Sequence, residues 1–161
     1  MRFTIFRGEE HPFSEFEIVK YSLAHAFVRY HRGLGRMPRP WKPWLMSLLM
    51  SNMIVPLLFL SDHIEAWVVL GTALVTGAMF ILLTAYTGFS RLLGLGHLAW
   101  IPLVIYLAMQ IPDAEKAYGG TWFLFWLKTV IVLDTISLFF DGANVVRYLR
   151  GEHQEMVEGL S

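Results

Sequence analysis

Within the stretch WLKTVIVLDTISLFFDG (residues 126–142), Lys128 and Asp134 interrupt a segment otherwise fit for lipid, and Asp141 closes it. An acid seven residues from another shares its helical face, so Asp134 and Asp141, with Ser137 near that face, form a polar line on one side of a helix. Lys128 lies six residues from Asp134, about 9 Å along the axis and about 120° around, too far for an intrahelical pair. His97 and Asn52 are the other polar groups inside apolar segments. Two chemistries suit such a set. Embedded carboxyl, imidazole and amide groups hydrogen-bond between helices, or they line a proton or cation path, since intramembrane acids are costly unless partnered or used. Histidine titrates near neutral pH and fits the second role.

These residues need helices to hold them. The chain has 161 residues, 55% of them hydrophobic and only 16% charged, against about 25% charged in an ordinary soluble domain. Four segments approach the roughly 20 apolar residues that cross a bilayer: residues 44–60, 66–86, 92–111 and 122–140. Residues 66–86 hold no charge and carry Gly71, Ala73, Gly77 and Ala78, small enough for close helix packing. A soluble bundle is disfavoured because too few polar residues remain to face water. The fold class is therefore an all-α integral membrane protein, a four-transmembrane-helix bundle spanning residues 43–142. An N-terminal arm (1–42) precedes it and a short tail (143–161) follows.

Basic residues near span ends set orientation. Arg2, Arg7, Lys20, Arg29, Arg32, Arg36, Arg39 and Lys42 precede the first span, Arg91 lies between the second and third, and Arg147 and Arg150 follow the fourth; only Lys116 lies opposite. Both termini are thus expected on the cytoplasmic face of the inner (plasma) membrane, in a multi-pass protein with no removable signal peptide. Trp41, Trp44, Trp67, Trp122 and Trp126 read as interface anchors, and Lys128 as a side chain that reaches the outer interface along its aliphatic stem. Asp62, His63, Glu65, Asp113 and Glu115 read as solvated loop charges.

In the arm, Ser14 and Glu17 make a capping box that starts a helix over residues 15–31, and Gly33 and Gly35 end it. Phe16, Val19, Leu23, Phe27 and Tyr30 form its apolar stripe, with Arg29 and Arg32 on the remainder and Arg36 just beyond. Such a helix lies in the cytoplasmic interface. It packs on the bundle ends, docks a protein partner, or binds anionic lipid through Arg29, Arg32 and Arg36, in that order of preference.

Depth places Asp134 and Asn52 both about 12 Å from the cytoplasmic boundary and His97 about 8 Å from it, at 1.5 Å per residue. One inner polar layer of Asn52, His97 and Asp134 follows, joined by Thr76, Thr84 or Tyr86. Side-chain lean works against direct contact, since His97 tilts toward the cytoplasm and Asp134 away from it.

No GxSxG, HExxH, Walker loop, dinucleotide fingerprint or CxxCH occurs, and there is no cysteine. Haem would need a second histidine at the depth of His97. The sequence therefore points to no enzyme, metal or cofactor, and the balance of thirteen basic and thirteen acidic residues points to no nucleic acid. The stretch DTISLFFDGANVVRYLRGE resembles bacterial membrane proteins without assigned function and brings no residue role with it. The partners expected are the lipid bilayer and either further copies of the chain or another membrane protein. The function expected is that of a non-catalytic homo-oligomer or accessory subunit of a membrane complex; the alternative is a small proton- or cation-conducting channel or carrier using Asp134 and His97.

Overall fold

The computed structural model describes residues 22–154, 156 and 157, and these are helical almost throughout, with no β-strand among them. The elements in chain order are α1 (Leu23–Arg36), α2 (Trp41–Leu49), a π turn (Met50–Ile54), a 3-10 turn (Val55–Leu58), α3 (Ile64–Thr87), a 3-10 segment (Arg91–Ala99), α4 (Trp100–Tyr118) and α5 (Trp122–Leu149). Three stretches are long and apolar enough to cross a membrane: Ile64–Thr87, Arg91–Tyr118 and Trp122–Leu149.

The first expected span differs in form from the other three. It begins as α2, where Pro43 stands in the first turn and its missing N–H has no intrahelical partner to lose. From Met50 the backbone widens, and the Val55 N–H bonds to the Met50 carbonyl five residues back. Pro56 then brings no amide donor to the ladder, and a short 3-10 turn finishes the segment at Leu58.

Three boundaries move from their expected positions. The third span runs past Ile111 to Tyr118 despite Pro112, so Asp113 and Glu115 belong to α4 rather than to a loop. Its start is a 3-10 segment, and Pro102 falls in the first turn of α4, where it disrupts little. The fourth span continues beyond Phe140 to Leu149, taking in the beginning of the expected tail. Lys116 forms a surface ion pair with Asp113 on the same helix face.

The helix α1 starts at Leu23 with Ser22 as its N-cap and extends to Arg36. Gly33 does not break it. The missing side chain instead admits the Phe89 ring, since a Cβ on Gly33 would lie 2.5 Å from it. Tyr30 stacks on Phe80 with centroids 5.4 Å apart, and Leu34 and Met37 join the same cluster. Ser14, Phe16 and Glu17 lie outside the described residues.

The core follows α5. Phe123, Leu124, Trp126, Leu127 and Val130 are buried on its inner face against Val69 of α3, Leu103 and Leu107 of α4 and Leu48 of α2. Phe125, Val132, Ile136 and Phe139 lie on the exposed side, the division that a helix with one face in a bundle requires.

Candidate polar sites on the fifth helix

Asp134 and Ser137 continue the buried inner face of α5, and Asp141 follows, partly exposed. Asp134 has no exposed surface, and its Oδ1 accepts a hydrogen bond of 2.9 Å from Asn52 Nδ2. The same amide reaches the Leu48 carbonyl and Ser51 Oγ, both at 3.2 Å. Asn52 sits within the π turn, so the widened backbone is what carries this amide. Helix irregularities of this kind recur at functional sites.

Trp126 completes the arrangement about two turns away along the same buried side of α5. A π ladder would bond the Ser51 carbonyl to the amide of residue 56, and Pro56 has none. Trp126 Nε1 donates to that carbonyl at 2.8 Å instead. Trp126 is buried, with 4% of its surface exposed, so it is an internal hydrogen-bond donor and not the interface anchor its position near the start of the span implied. Its ring also stacks on Phe59, centroids 5.2 Å apart. An indole bond to a proline-freed carbonyl leaves no periodic signal in sequence. Pro56 together with a tryptophan in a facing helix is the only hint available.

Asn52 Oδ1, Asp134 Oδ2, Thr76 Oγ1 and Trp100 Nε1 are buried without a hydrogen-bond partner among the described residues. The first two are acceptors on groups that already share one bond, and they offer lone pairs to any donor that reaches the site.

His97 is not part of this layer. Its Nδ1 lies 2.6 Å from Asp141 Oδ2, which also accepts from Ser137 Oγ at 3.2 Å. A carboxylate only accepts, so Nδ1 carries the hydrogen and Nε2 of a neutral ring is left as the acceptor. The imidazole packs against Trp100 and edge-on to Phe80, with centroids 3.9 and 4.7 Å apart. Gly94 permits the approach, because a Cβ there would lie 2.8 Å from the Asp141 carbonyl oxygen. The single expected layer is therefore two sites, Asn52 with Asp134 and His97 with Asp141. Thr84 bonds back to the Phe80 carbonyl and joins neither.

Helix register explains the split. Arg91 and Arg147 both pair with Glu152, at 3.1 and 2.9 Å, which fixes the third segment antiparallel to α5 at that level. Six residues inward from each lie His97 and Asp141. Depth counted from Gly142 places His97 in one layer with Asp134 only because α5, which runs to Leu149, is taken to end too early.

At the opposite end Lys128 pairs with Glu115 at 2.6 Å, both half exposed, rather than extending alone to the interface. Trp122 and Trp67 are well exposed there, Trp67 donating to the Leu60 carbonyl at 2.8 Å. Trp41 and Trp44 meet Phe140 edge-on at the other end.

Met156 and Val157 pack on the Phe89 and Leu93 cluster that Leu34 and Met37 at the α1 end also join. Glu152 accepts from Arg147 Nε at 3.0 Å, and that bond, ahead of the charges of Arg147 and Arg91, holds its carboxyl below the ordinary carboxylate value. Burial pushes the Tyr30 hydroxyl well above its ordinary value. The Met156 N–H bonds to the Phe89 carbonyl at 2.9 Å.

No family model, curated protein or solved structure matches the chain.

Proposed function

We propose that this chain is a small non-catalytic membrane protein of the inner (plasma) membrane, with four segments in the bilayer and both termini cytoplasmic, that acts as a homo-oligomer or as the accessory subunit of a membrane complex. Pairing along α5 supports the fourth segment. Trp41 and Trp44 meet Phe140, Asn52 meets Asp134, and Phe59 meets Phe123. The first segment thus runs antiparallel beside α5 from residue 140 to residue 123, about 25 Å at 1.5 Å per residue, close to the roughly 30 Å hydrocarbon thickness. Charge supports the orientation, since Arg29, Arg32, Arg36, Arg39, Lys42, Arg91, Arg147 and Arg150 gather at one end of the chain's helices, and Lys116 and Lys128 stand at the other.

The observation that carries the packing role is the outer face of α3. Gly71, Leu74, Val75 and Ala78 are exposed along it, and a Cβ on Gly71 or Gly77 would meet nothing within 4 Å. Small residues unused inside a chain let a second helix approach closely. Asp134 takes its partner from within the chain, because Asn52 supplies it.

The second reading, proton or cation conduction through Asp134 and His97, draws on the partial exposure of the His97–Asp141 pair, 12% and 18% of the two side chains. Against it stands the dry core between Asp134 and the Trp122 end, where Val69, Leu107, Leu127 and Val130 have no exposed surface. Native mass measurement in nanodiscs, with proton flux measured in liposomes, separates the two. The packing role predicts a mass above the 18.5 kDa of one chain, reduced by Gly71→Leu with Gly77→Leu, and no flux. A single chain whose flux disappears in Asp134→Asn would establish conduction instead.

A further inference from the structure

We propose that α1 and the turn after it form a binding site for the phosphoryl headgroups of anionic phospholipid, an inference that rests on the membrane reading above. The helix carries three distinct faces. Ala26, Tyr30, Gly33 and Leu34 are turned into the protein, fixed by the Tyr30–Phe80 stack and by Phe89 seated on Gly33. That docking leaves α1 no freedom to rotate and so determines where the other two faces point.

Leu23, Phe27 and Val28 form the second face, 56%, 50% and 44% exposed. The helix packs on the end of α3 through Tyr30 and Phe80, and Met79, Leu82 and Tyr86 near that end are exposed apolar groups of a candidate span. Exposed apolar residues therefore stand on both of these packed helices, one of them a candidate membrane span. The third face is basic, with Arg29, Arg32 and Arg36 spaced three and four residues apart so that they share one side of the helix. Arg39 and Lys42 follow at the exposed entry to α2, beside the partly exposed Trp41.

Residues 22–42 hold these five basic side chains and no acidic one. An apolar face flush with the acyl layer, a basic face beside it and a tryptophan at the rim are what an interfacial helix presents to anionic lipid. Guanidinium groups hold phosphate oxygens in two-point contacts. An acidic protein partner would match the charges, but lipid matches both the charges and the exposed Leu23, Phe27 and Val28 beside them on a helix packed on a candidate span, which is why lipid is favoured.

The chain has no cysteine, so Ala24→Cys, at an exposed position on α1, accepts a single fluorophore on the full-length protein. The labelled protein is reconstituted in phosphatidylcholine vesicles containing phosphatidylglycerol, with bromine quenchers on the acyl chains of one lipid or the other. Brominated phosphatidylglycerol is expected to quench more than an equal fraction of brominated phosphatidylcholine, and salt to erode the difference. Each basic residue contributes about fivefold to this preference. The triple variant Arg32→Gln, Arg39→Gln, Lys42→Gln should lower it about a hundredfold while Arg29 and Arg36, which have interactions of their own, stay in place. The double variant Arg32→Lys, Arg39→Lys should retain it, guarding against a fold defect. Equal quenching by both lipids overturns the lipid site and leaves the membrane reading standing. Emission of a water-exposed label, unquenched by either, likewise overturns the lipid site. Failure to enter vesicles of any composition removes both readings.

Discussion

Asp134 and Asp141 stand two turns apart on α5, and their surroundings differ in every respect that governs a carboxyl group. Asp134 has no exposed surface, one neutral amide as partner and one oxygen with none among the described residues. Asp141 is partly exposed and is held by a histidine and a serine. The deeper acid meets the π turn of the first segment and the shallower one meets the 3-10 segment before α4, so both partners come from stretches where the α-helical ladder is interrupted. Irregular backbone is tolerated at membrane depth where protein surrounds it, and there it releases groups that can bond sideways. In this protein the interruptions supply the cross-links between helices.

The comparison breaks most severely at the deeper site. Asn52→Leu removes the only side-chain donor to Asp134 among the described residues, in a fully buried setting, and unfolding in mixed micelles should register a loss of about 3 kcal/mol, because an orphaned buried carboxyl is penalised far more than a surface one. Next comes Gly94→Ala. Its Cβ would press on the Asp141 backbone, which cannot swing aside as a ring can, so a loss of about 2 kcal/mol is expected. Infrared or NMR signals of His97 should change while those of Asn52 do not. A matched disturbance at both sites would mean that they form one cooperative unit.

Trp126→Phe sharpens the comparison from the other direction. It keeps an aromatic ring against Phe59 but leaves the Ser51 carbonyl without its donor, at an expected cost of about 1–2 kcal/mol. Hydrogen exchange should accelerate over residues 50–56 and remain unchanged around His97.

The smallest effect concerns the tail. Glu152 is a stronger acid in the folded protein than its ordinary value of 4.5, so its contribution is present above that value and is lost as pH falls through the folded one. Acidification should therefore free the chain after Arg150 from Arg91 and Arg147 and speed its proteolysis. Glu152→Gln should make that rate insensitive to pH over the same range.

Much of this arrangement is legible in the sequence because each apolar segment can be numbered from its own basic end. Asn52 and Asp134 fall at the same depth by counting residues, and the structure joins them. His97 is misplaced by the same count because apolar composition fades at Phe140 while the helix continues to Leu149. A helix end is defined by hydrogen bonds and caps, and the membrane boundary by hydrophobicity; the two need not coincide. Trp126 and Gly33 fail for another reason. A tryptophan near a span end and a glycine after a helical stripe each have a common meaning, anchor and stop. Only the facing residues, the Ser51 carbonyl and the Phe89 ring, reveal that here one is a donor and the other a seat.

A double-mutant cycle on Asn52 and Asp134 tests the central claim most directly, that the first segment is bound to α5 within one chain through these two side chains. Asn52→Ala, Asp134→Ala and the pair together, compared by unfolding in mixed micelles, should give a coupling of about 1 kcal/mol, the scale of hydrogen bonds between membrane helices. Strict additivity of the two single losses would contradict the account.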